Sequence, residues 1–352
     1  MSQAGPIRVT VVIDTYNCGH FIEEAIDSVL AQDFPPEQME ILVVDDGSAD
    51  DTGERVRKYG SRIQYFCKPN GGQASALNFG IARARGEIVA FLDGDDYWLP
   101  GKLRRVAAEF EKHQEAGMVY HNFCCKHASI PDPLPFSGLG GVSGFLSENR
   151  RSLLGYDLYP TATLAFRKSV LQRLVPIPES LIVQADAHLT ACVIFVAPIV
   201  YIDQPLTVYR VHADNMWNCV ANTPRSCNIF EGDAAAKARL ERRVITTRAI
   251  GEGVREWLER NGFDVNHPDL RAFLMQWTIS SRAGEFALSP PGRLRFFRHL
   301  LEQPRHRMAW RHVVVHYANA FSLLFVGYRN FHRLDEWRLA VKRSVYSLLG
   351  RS

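Results

Sequence analysis

The chain has 352 residues, of which 46% are hydrophobic and 22% are charged, and its formal net charge at pH 7 is +3. These values exclude a disordered chain, which would combine few apolar residues with a large net charge, and so small a net charge gives no reason to expect a nucleic-acid partner. The seven cysteines lack zinc-ligand spacing and the N-terminus lacks a secretory signal, so we predict a cytoplasmic protein. The length of the chain predicts about two domains.

The first part of the chain alternates between strand and helix patterns. Runs of β-branched and apolar residues predict strands over residues 7–13, 40–44, 63–66 and 89–92. Apolar residues at helical spacing predict helices over residues 21–30, 50–59 and 74–84. This alternation predicts an α/β fold built on a doubly wound, mostly parallel sheet.

An acidic segment follows the last of these strands, where Asp93, Asp95 and Asp96 form a DxD motif. Ligands of open α/β sheets bind in the crevice outside the carboxyl ends of the strands. Neighbouring carboxylates repel one another, and Mg²⁺ or Mn²⁺ with oxygen ligands would offset that repulsion. The alternative is a solvated acidic turn, for which Gly94 is well suited.

Two earlier strands also end in polar turns. The first runs into Asp14-Thr15-Tyr16-Asn17 and the second into Asp45-Asp46. The first strand is followed by neither GxGxxG nor GxxxxGK[ST], so the sequence predicts neither a Rossmann dinucleotide site nor a P-loop. A bound nucleotide would therefore be held by acids and a metal.

Three runs in this order resemble family 2 of the inverting glycosyltransferases, which have the GT-A fold: VVIDTYN, VVDDGSADDT and NGGQASALNFGIARARGEIVAFLDGDD. The resemblance covers roughly residues 7–215. It implies a GT-A-like sheet of the nucleotide-diphospho-sugar transferase type. It also implies a hexosyltransferase type of activity, with a nucleotide-diphosphate-sugar donor, a divalent metal and transfer with inversion to an acceptor hydroxyl.

The resemblance also suggests roles for individual residues. The metal ligands would be Asp95 and His212, and Arg210 and Thr163 would face the diphosphate or the acceptor. Tyr16 is open to a second interpretation as a core aromatic and His212 to one as a structural histidine. The residues expected to bind the donor nucleotide are Thr15, Tyr16, Asn17, Asp45, Asp46, Asn78, Asp93 and Gly94.

One-step inversion requires a general base that takes the proton of the acceptor hydroxyl. In the family this base is an aspartate ahead of a helix, often in a Glu-Asp pair. The matching segment here is LIVQADAHLT, in which Asp186 is the only carboxylate and Ala185 stands where the family usually has Glu. We therefore predict Asp186 as the base; its alternative role is the N-cap of a helix over residues 187–196.

The strand-helix alternation stops after residue 222. We predict a catalytic domain over residues 1–222 and an α-helical domain over residues 223–352, with helices at 231–261, 269–284, 294–301 and within 308–349. Residues 127–151 are predicted as a flap over the acceptor cleft or as a simple insertion.

An apolar segment at 313–328 is too short to cross a bilayer and is flanked by arginines. It fits peripheral contact with the inner face of the plasma membrane, or packing on the catalytic core or in a homodimer, which we favour.

The sequence thus predicts a glycosyltransferase of polysaccharide or glycoconjugate biosynthesis. The expected donor is a UDP- or dTDP-sugar, and the expected acceptor is a glycan, a glycolipid or a small molecule. One alternative is a sugar-nucleotide nucleotidyltransferase, although the basic glycine-rich loop that such enzymes need is not seen at residues 14–17. Another is a non-catalytic sugar-binding or scaffold protein with the same fold.

Overall fold

The computed structural model describes residues 6–127, 132–135, 143–144, 159–212, 233–271, 273–274 and 277–278. The chain divides into two compact units, one made of residues 1–217 and 252–265 and the other of residues 218–251 and 266–352. The predicted boundary after residue 222 stays a prediction. Most of the predicted flap and all predicted helices after residue 284 lie outside the described residues.

The first unit is built on one large sheet. Its strands are β1 Val9–Thr15, β2 Met39–Asp45, β3 Gln64–Cys67, β4 Ile88–Asp93, β5 Tyr97–Trp98, β6 Met118–His127, β7 Leu134–Pro135, β8 Leu164–Arg167 and β9 Ile199–Val211. Within the described segments the strand order is β3-β2-β1-β4-β8-β6-β9-β5, and β7 pairs with β6. The helices are α1 Ile22–Leu30, α2 Thr52–Arg57, α3 Gln73–Arg83, α4 Lys102–Lys112, α5 Lys168–Leu171, α6 Ala185–Val193 and α7 Asp233–Arg260. The predicted α/β fold is confirmed.

Half of the sheet, β3-β2-β1-β4, is entirely parallel. Its central strands are apolar on both sides because helices cover both faces, and Phe91 and Leu92 are fully buried. Burying each such side chain contributes about 1.5–3 kcal/mol. The parallel register sets Asp14 beside Asp93 and Thr15 beside Asp45, so the three predicted polar strand ends meet at one edge.

The other half of the sheet mixes both directions. Strand β8 is antiparallel to β4 and β6, β9 is parallel to β6, and the two-residue β5 is antiparallel to β9. Tyr97 pairs with Val208 and Trp98 with Thr207. This pairing carries the end of β9, with Arg210 and His212, to the turn that follows β4.

The predicted helix at 231–261 is confirmed as α7. Its last part belongs to the first unit, where the fully buried Trp257 donates a hydrogen bond from Nε1 to the carbonyl oxygen of Arg173 at 3.0 Å. No helix in the described ranges combines the length and the apolar character needed to cross a bilayer.

Candidate active site

The turn after β2 has its acids paired within the protein. Asp45 accepts hydrogen bonds from the Ser48 amide at 2.8 Å and from the Tyr65 hydroxyl at 2.6 Å. Asp46 accepts from the amides of Gly71 and Gly72 and forms an ion pair with Lys68 at 2.5 Å. Asp46 therefore joins the turn after β2 to the loop that begins α3.

The turn after β1 lies against the turn after β2. Asn17 has a left-handed backbone, with φ of 53°, and its side chain accepts a hydrogen bond from the Ala49 amide at 2.8 Å. Thr15 is buried, whereas Tyr16 is 46% exposed, which is not the environment of a core aromatic. A Cβ at Gly94 would lie 2.6 Å from Thr15 Oγ1, so only glycine fits where β4 ends beside β1.

The buried acids at the ends of β1 and β4 have raised pKa values. Asp14, Asp93 and Asp96 lie close together, and burial is the largest cause that raises the pKa of each. The pKa of Asp14 rises to about 8, with the charge of Asp95 as the second cause. The pKa values of Asp93 and Asp96 rise well above the usual range, with Asp14 and Asp95 as the respective second causes. Among the described residues, Asp14 Oδ1 and Asp96 Oδ2 are buried without a hydrogen-bond partner.

The structure brings the predicted metal ligands together. His212 Nε2 lies 3.1 Å from Asp95 Oδ2. Arg210 Nη1 donates to the carbonyl oxygen of Asp95 at 2.6 Å, and the Arg210 amide donates to Asp96 Oδ1 at 2.9 Å. The Arg210 guanidinium also pairs with Glu24. Arg210 and His212 thus both meet the DxD turn, as expected for residues two apart on an extended strand.

These residues suit a hard divalent cation. Clustered carboxylates with unpartnered buried oxygens are stabilised by a positive charge, and Mg²⁺ is commonly held by one or two carboxylates while substrate phosphates complete its shell. In the described part of the chain, no three His, Cys, Asp or Glu side chains form a ready-made metal cage. The protein would thus supply part of the ligand set, through Asp95 and His212.

The predicted base lies near this cluster, since the charge of Asp186 contributes to the raised pKa values of Asp14 and Asp93. Helix α6 begins at Ala185 with Gln184 as its N-cap, so Asp186 lies in the first turn and the N-cap interpretation is wrong. Burial raises the pKa of Asp186 to about 6, and hydrogen bonds from the Ala187 amide and from Thr161 oppose the rise. A carboxylate with this pKa is mostly ionised at neutral pH and remains basic enough to take a proton.

Two of the predicted residues are engaged in the scaffold. Asn78 donates to the Ile177 carbonyl oxygen at 2.8 Å and accepts from the Ile177 amide at 2.9 Å. Thr163 is fully buried and donates to the Pro160 carbonyl oxygen at 2.7 Å. Their predicted contacts with donor and acceptor stay predictions.

Gln73 and Lys102 also belong to the site, although neither was predicted from the sequence. Gln73 Nε2 donates to Asp93 Oδ1 at 3.0 Å. Lys102, fully buried beneath the site, donates to the carbonyl oxygen of Ala162, whose amide donates to Asp93 Oδ2. Burial lowers the pKa of Lys102 well below its usual value, and the charges of Asp93 and Asp96 oppose this shift. The position of Gln73, directly after a Gly-Gly turn, is the one signal that the sequence offers for either residue.

Comparisons with known proteins agree with this geometry. The family described as Glycosyl transferase family 2 matches residues 10–174. A glycosyltransferase of Nostoc sp. is 31% identical over 279 residues, which cover 72% of this chain and 80% of that protein. The chain spans smaller shares, 66% and 37%, of two further glycosyltransferases.

Solved structures show the same fold at low sequence identity. S. aureus TarS in complex with UDP-GlcNAc has a TM-score of 0.51 and 20% identity, with 90% of this chain and 91% of that chain covered. A mannosyltransferase from Pyrobaculum calidifontis in complex with GDP-Man and Mn²⁺ has a TM-score of 0.52 and 20% identity, with 98% and 88% covered. The fold is therefore GT-A-like, and the chain belongs to glycosyltransferase family 2.

Proposed function

We propose that this glycosyltransferase moves a sugar from a nucleotide-diphosphate donor to an acceptor hydroxyl with inversion, in a metal-dependent reaction with Asp186 as general base. The observation that carries the proposal is the turn at Thr161–Thr163. The Ala162 amide donates to Asp93 on the donor side, and the adjacent Thr161 hydrogen-bonds Asp186. Two consecutive residues thus hold the acid of the donor side and the base at a fixed separation.

The donor is proposed to be a UDP- or dTDP-sugar. Support for a nucleotide-sugar comes from the two fold relatives, of which one binds UDP-GlcNAc and the other GDP-Man. The polar ends of β1 and β2, at Thr15, Tyr16, Asn17, Asp45 and Asp46, would form the nucleotide pocket. The acceptor is proposed to be a glycan, a glycolipid or a small molecule.

The charge of the departing diphosphate accounts for the metal. Negative charge grows on the leaving phosphate as the glycosidic bond breaks, and a bound Mg²⁺ or Mn²⁺ supplies Lewis-acid stabilisation of that charge. Asp95 and His212 would hold the ion, and Arg210 would brace the turn that carries Asp95. On the other side, Asp186 would take the proton of the acceptor hydroxyl as the new bond forms.

The test is release of nucleotide diphosphate from a panel of UDP-, dTDP- and GDP-sugars, with Mn²⁺, Mg²⁺ or EDTA. We expect metal-dependent release with at least one donor. Asp186→Asn should lower kcat by about 10²–10⁴-fold, because the base is lost, and should leave donor affinity unchanged.

Asp203→Asn is the matched control, since Asp203 is an exposed aspartate on β9. Donor binding without release from any donor would favour a sugar-binding or scaffold protein. Full activity of Asp186→Asn would require another base.

We further propose that the enzyme works at the cytoplasmic face of the membrane or as a homodimer through its C-terminal residues. The support is the basic sequence around the apolar segment 313–328. Flotation with anionic and neutral vesicles, alongside sedimentation of the full chain, separates the two arrangements. Binding to anionic vesicles that is lost in high salt supports the lipid contact.

A further inference from the structure

We infer that Gln73 is a positioning residue that fixes the donor-side carboxylate Asp93 relative to the segment that carries the base Asp186. This inference rests on the proposed function. No role in the reaction follows for Gln73 from the DxD motif or from the acids at the strand ends. Its side chain nevertheless contacts four separate segments of the site, at Asp14, Asp93, Thr161 and Ala185.

The side-chain amide of Gln73 both donates and accepts hydrogen bonds. Its Nε2 donates to Asp93 Oδ1 at 3.0 Å and to Thr161 Oγ1 at 3.1 Å, while its Oε1 accepts from the Ala185 amide at 3.1 Å. Thr161 in turn hydrogen-bonds Asp186. One side chain therefore contacts the donor acid directly. It reaches the base through Thr161, which hydrogen-bonds Asp186, and through Ala185, the residue that precedes Asp186.

The backbone around Gln73 holds it in place independently of these contacts. The Gln73 amide donates to the Ile182 carbonyl oxygen at 2.8 Å, and the Ala74 amide donates to that of Leu181 at 3.2 Å. Gly72 has a φ of +82°, and a Cβ there would lie 2.6 Å from the Cα of Ile182. The start of α3 is thus docked on the segment before Asp186 by main-chain bonds that survive a change of the Gln73 side chain.

Only an amide of this length satisfies all of these partners. Asp93 accepts hydrogen bonds and the Ala185 amide donates one, so the residue between them must donate and accept at the same end. Methionine has similar length and can do neither effectively. Glutamate can accept from Ala185, but it cannot donate and it places a negative charge beside Asp93.

The experiment compares Gln73→Met and Gln73→Glu with the full-length wild type. A matched control is Gln204→Met, because Gln204 lies on β9 with an exposed side chain. The readouts are kcat and KM for the donor that the wild type uses, the pH dependence of kcat, and Tm. Displacing catalytic groups by about 1 Å costs about 10²-fold in rate.

We expect Gln73→Met to lower kcat by about 10–100-fold, with a Tm close to that of the wild type. Its pH profile should shift to higher pH, because a loosened Thr161 no longer favours the ionised form of Asp186. Gln73→Glu should keep the Ala185 contact yet raise the donor KM more than Gln73→Met does. Gln204→Met should match the wild type in every readout.

A merely structural Gln73 would leave the pH profile unmoved and would lower kcat only in step with Tm, and that result overturns the inference. Should Gln73→Met fail to fold, the split between kcat and KM in Gln73→Glu decides the question. If the wild type turns over, Asp186→Asn loses this turnover and Gln73→Met keeps it, then this inference alone is overturned. A wild type without turnover overturns the proposed function as well.

Discussion

The turns after β2 and β4 carry similar acids in different electrostatic states. After β2, both oxygens of Asp45 and of Asp46 accept hydrogen bonds, and Lys68 supplies a positive charge. After β4, Asp96 keeps one buried oxygen without a partner among the described residues, and the pKa of Asp96 is raised by burial first and by the charge of Asp95 second.

This difference separates an acidic turn whose carboxylates are paired within the protein from one whose buried carboxylates keep unpartnered oxygens among the described residues. A buried carboxylate is stable when hydrogen bonds and an opposite charge offset its desolvation, and it is costly otherwise. The fold meets these requirements at Asp46 and leaves them partly unmet around Asp14 and Asp96. Buried titratable groups with strongly shifted pKa values are concentrated at the functional sites of proteins.

The largest expected effect concerns the β4 turn. Asp95→Asn should weaken donor binding in the presence of Mn²⁺ by about 100-fold or more, because loss of even an outer contact of a metal site costs about 10–100-fold. Calorimetric titration of a nucleotide diphosphate, with and without Mn²⁺, measures it. Without metal the variant should bind as the wild type does. An equal loss under both conditions would show that Asp95 does not act through a metal.

The second effect concerns the β2 turn. Asp46→Asn should lower the free energy of unfolding by about 2–3 kcal/mol, because it removes a buried ionic partner of Lys68 and places an amide NH₂ among backbone donors. Urea denaturation without ligand measures the loss. Asp33→Asn breaks an exposed pair with Arg104 and should cost about 0.5 kcal/mol or less. If the two variants lost equal stability, Asp46 would not be a structural acid.

The parallel half of the sheet was predicted well from the sequence. Strands β1, β2 and β4 are buried on both faces and therefore consist of nearly continuous apolar residues. The mixed half could not be predicted. Strand β5 has two residues and pairs with β9 more than a hundred positions later in the chain, and no local pattern encodes such a pairing. The acids of the β2 and β4 turns were found because they directly follow apolar strands, whereas Asp186 was found through the resemblance of its segment to the family.

Residues that act through long-range contacts escaped the sequence analysis. Lysine is almost never fully buried, so Lys102 would ordinarily be taken as solvent-exposed. Gln73 looked like one more polar residue at the start of a helix. The partners of both residues, at Ala162 and Ala185, are set by tertiary structure alone.

Asp186 is a fourth buried acid with a raised pKa, and this shift has consequences for both activity and stability. A general base acts when it is ionised, and the pKa of Asp186 is about 6. With Asp186 as the proposed base, kcat should fall about tenfold for each pH unit below that value. The pKa of Asp186 is higher in the folded state than in the unfolded state. Protonation of Asp186 therefore favours the folded state, and this contribution to the free energy of unfolding is fully present below the unfolded pKa and is lost as pH rises through about 6. Asp186→Asn should therefore gain stability relative to wild type at pH 8 more than at pH 4.5. A kcat flat from pH 5 to pH 8 would contradict the assignment of this base.

The smallest expected effect distinguishes the two turns most directly. Asp96→Asn keeps the oxygen that accepts from the Arg210 amide and removes the charge from a fully buried site. Without metal, the free energy of unfolding should therefore stay within about 1 kcal/mol of the wild type or rise, because burial and the charge of Asp95 both disfavour the ionised form of the carboxyl group that is removed. Urea denaturation beside Asp46→Asn measures the contrast. A loss as large as that of Asp46→Asn would mean that Asp96, too, is held by interactions that stabilise its charge, and the distinction between the turns would fail.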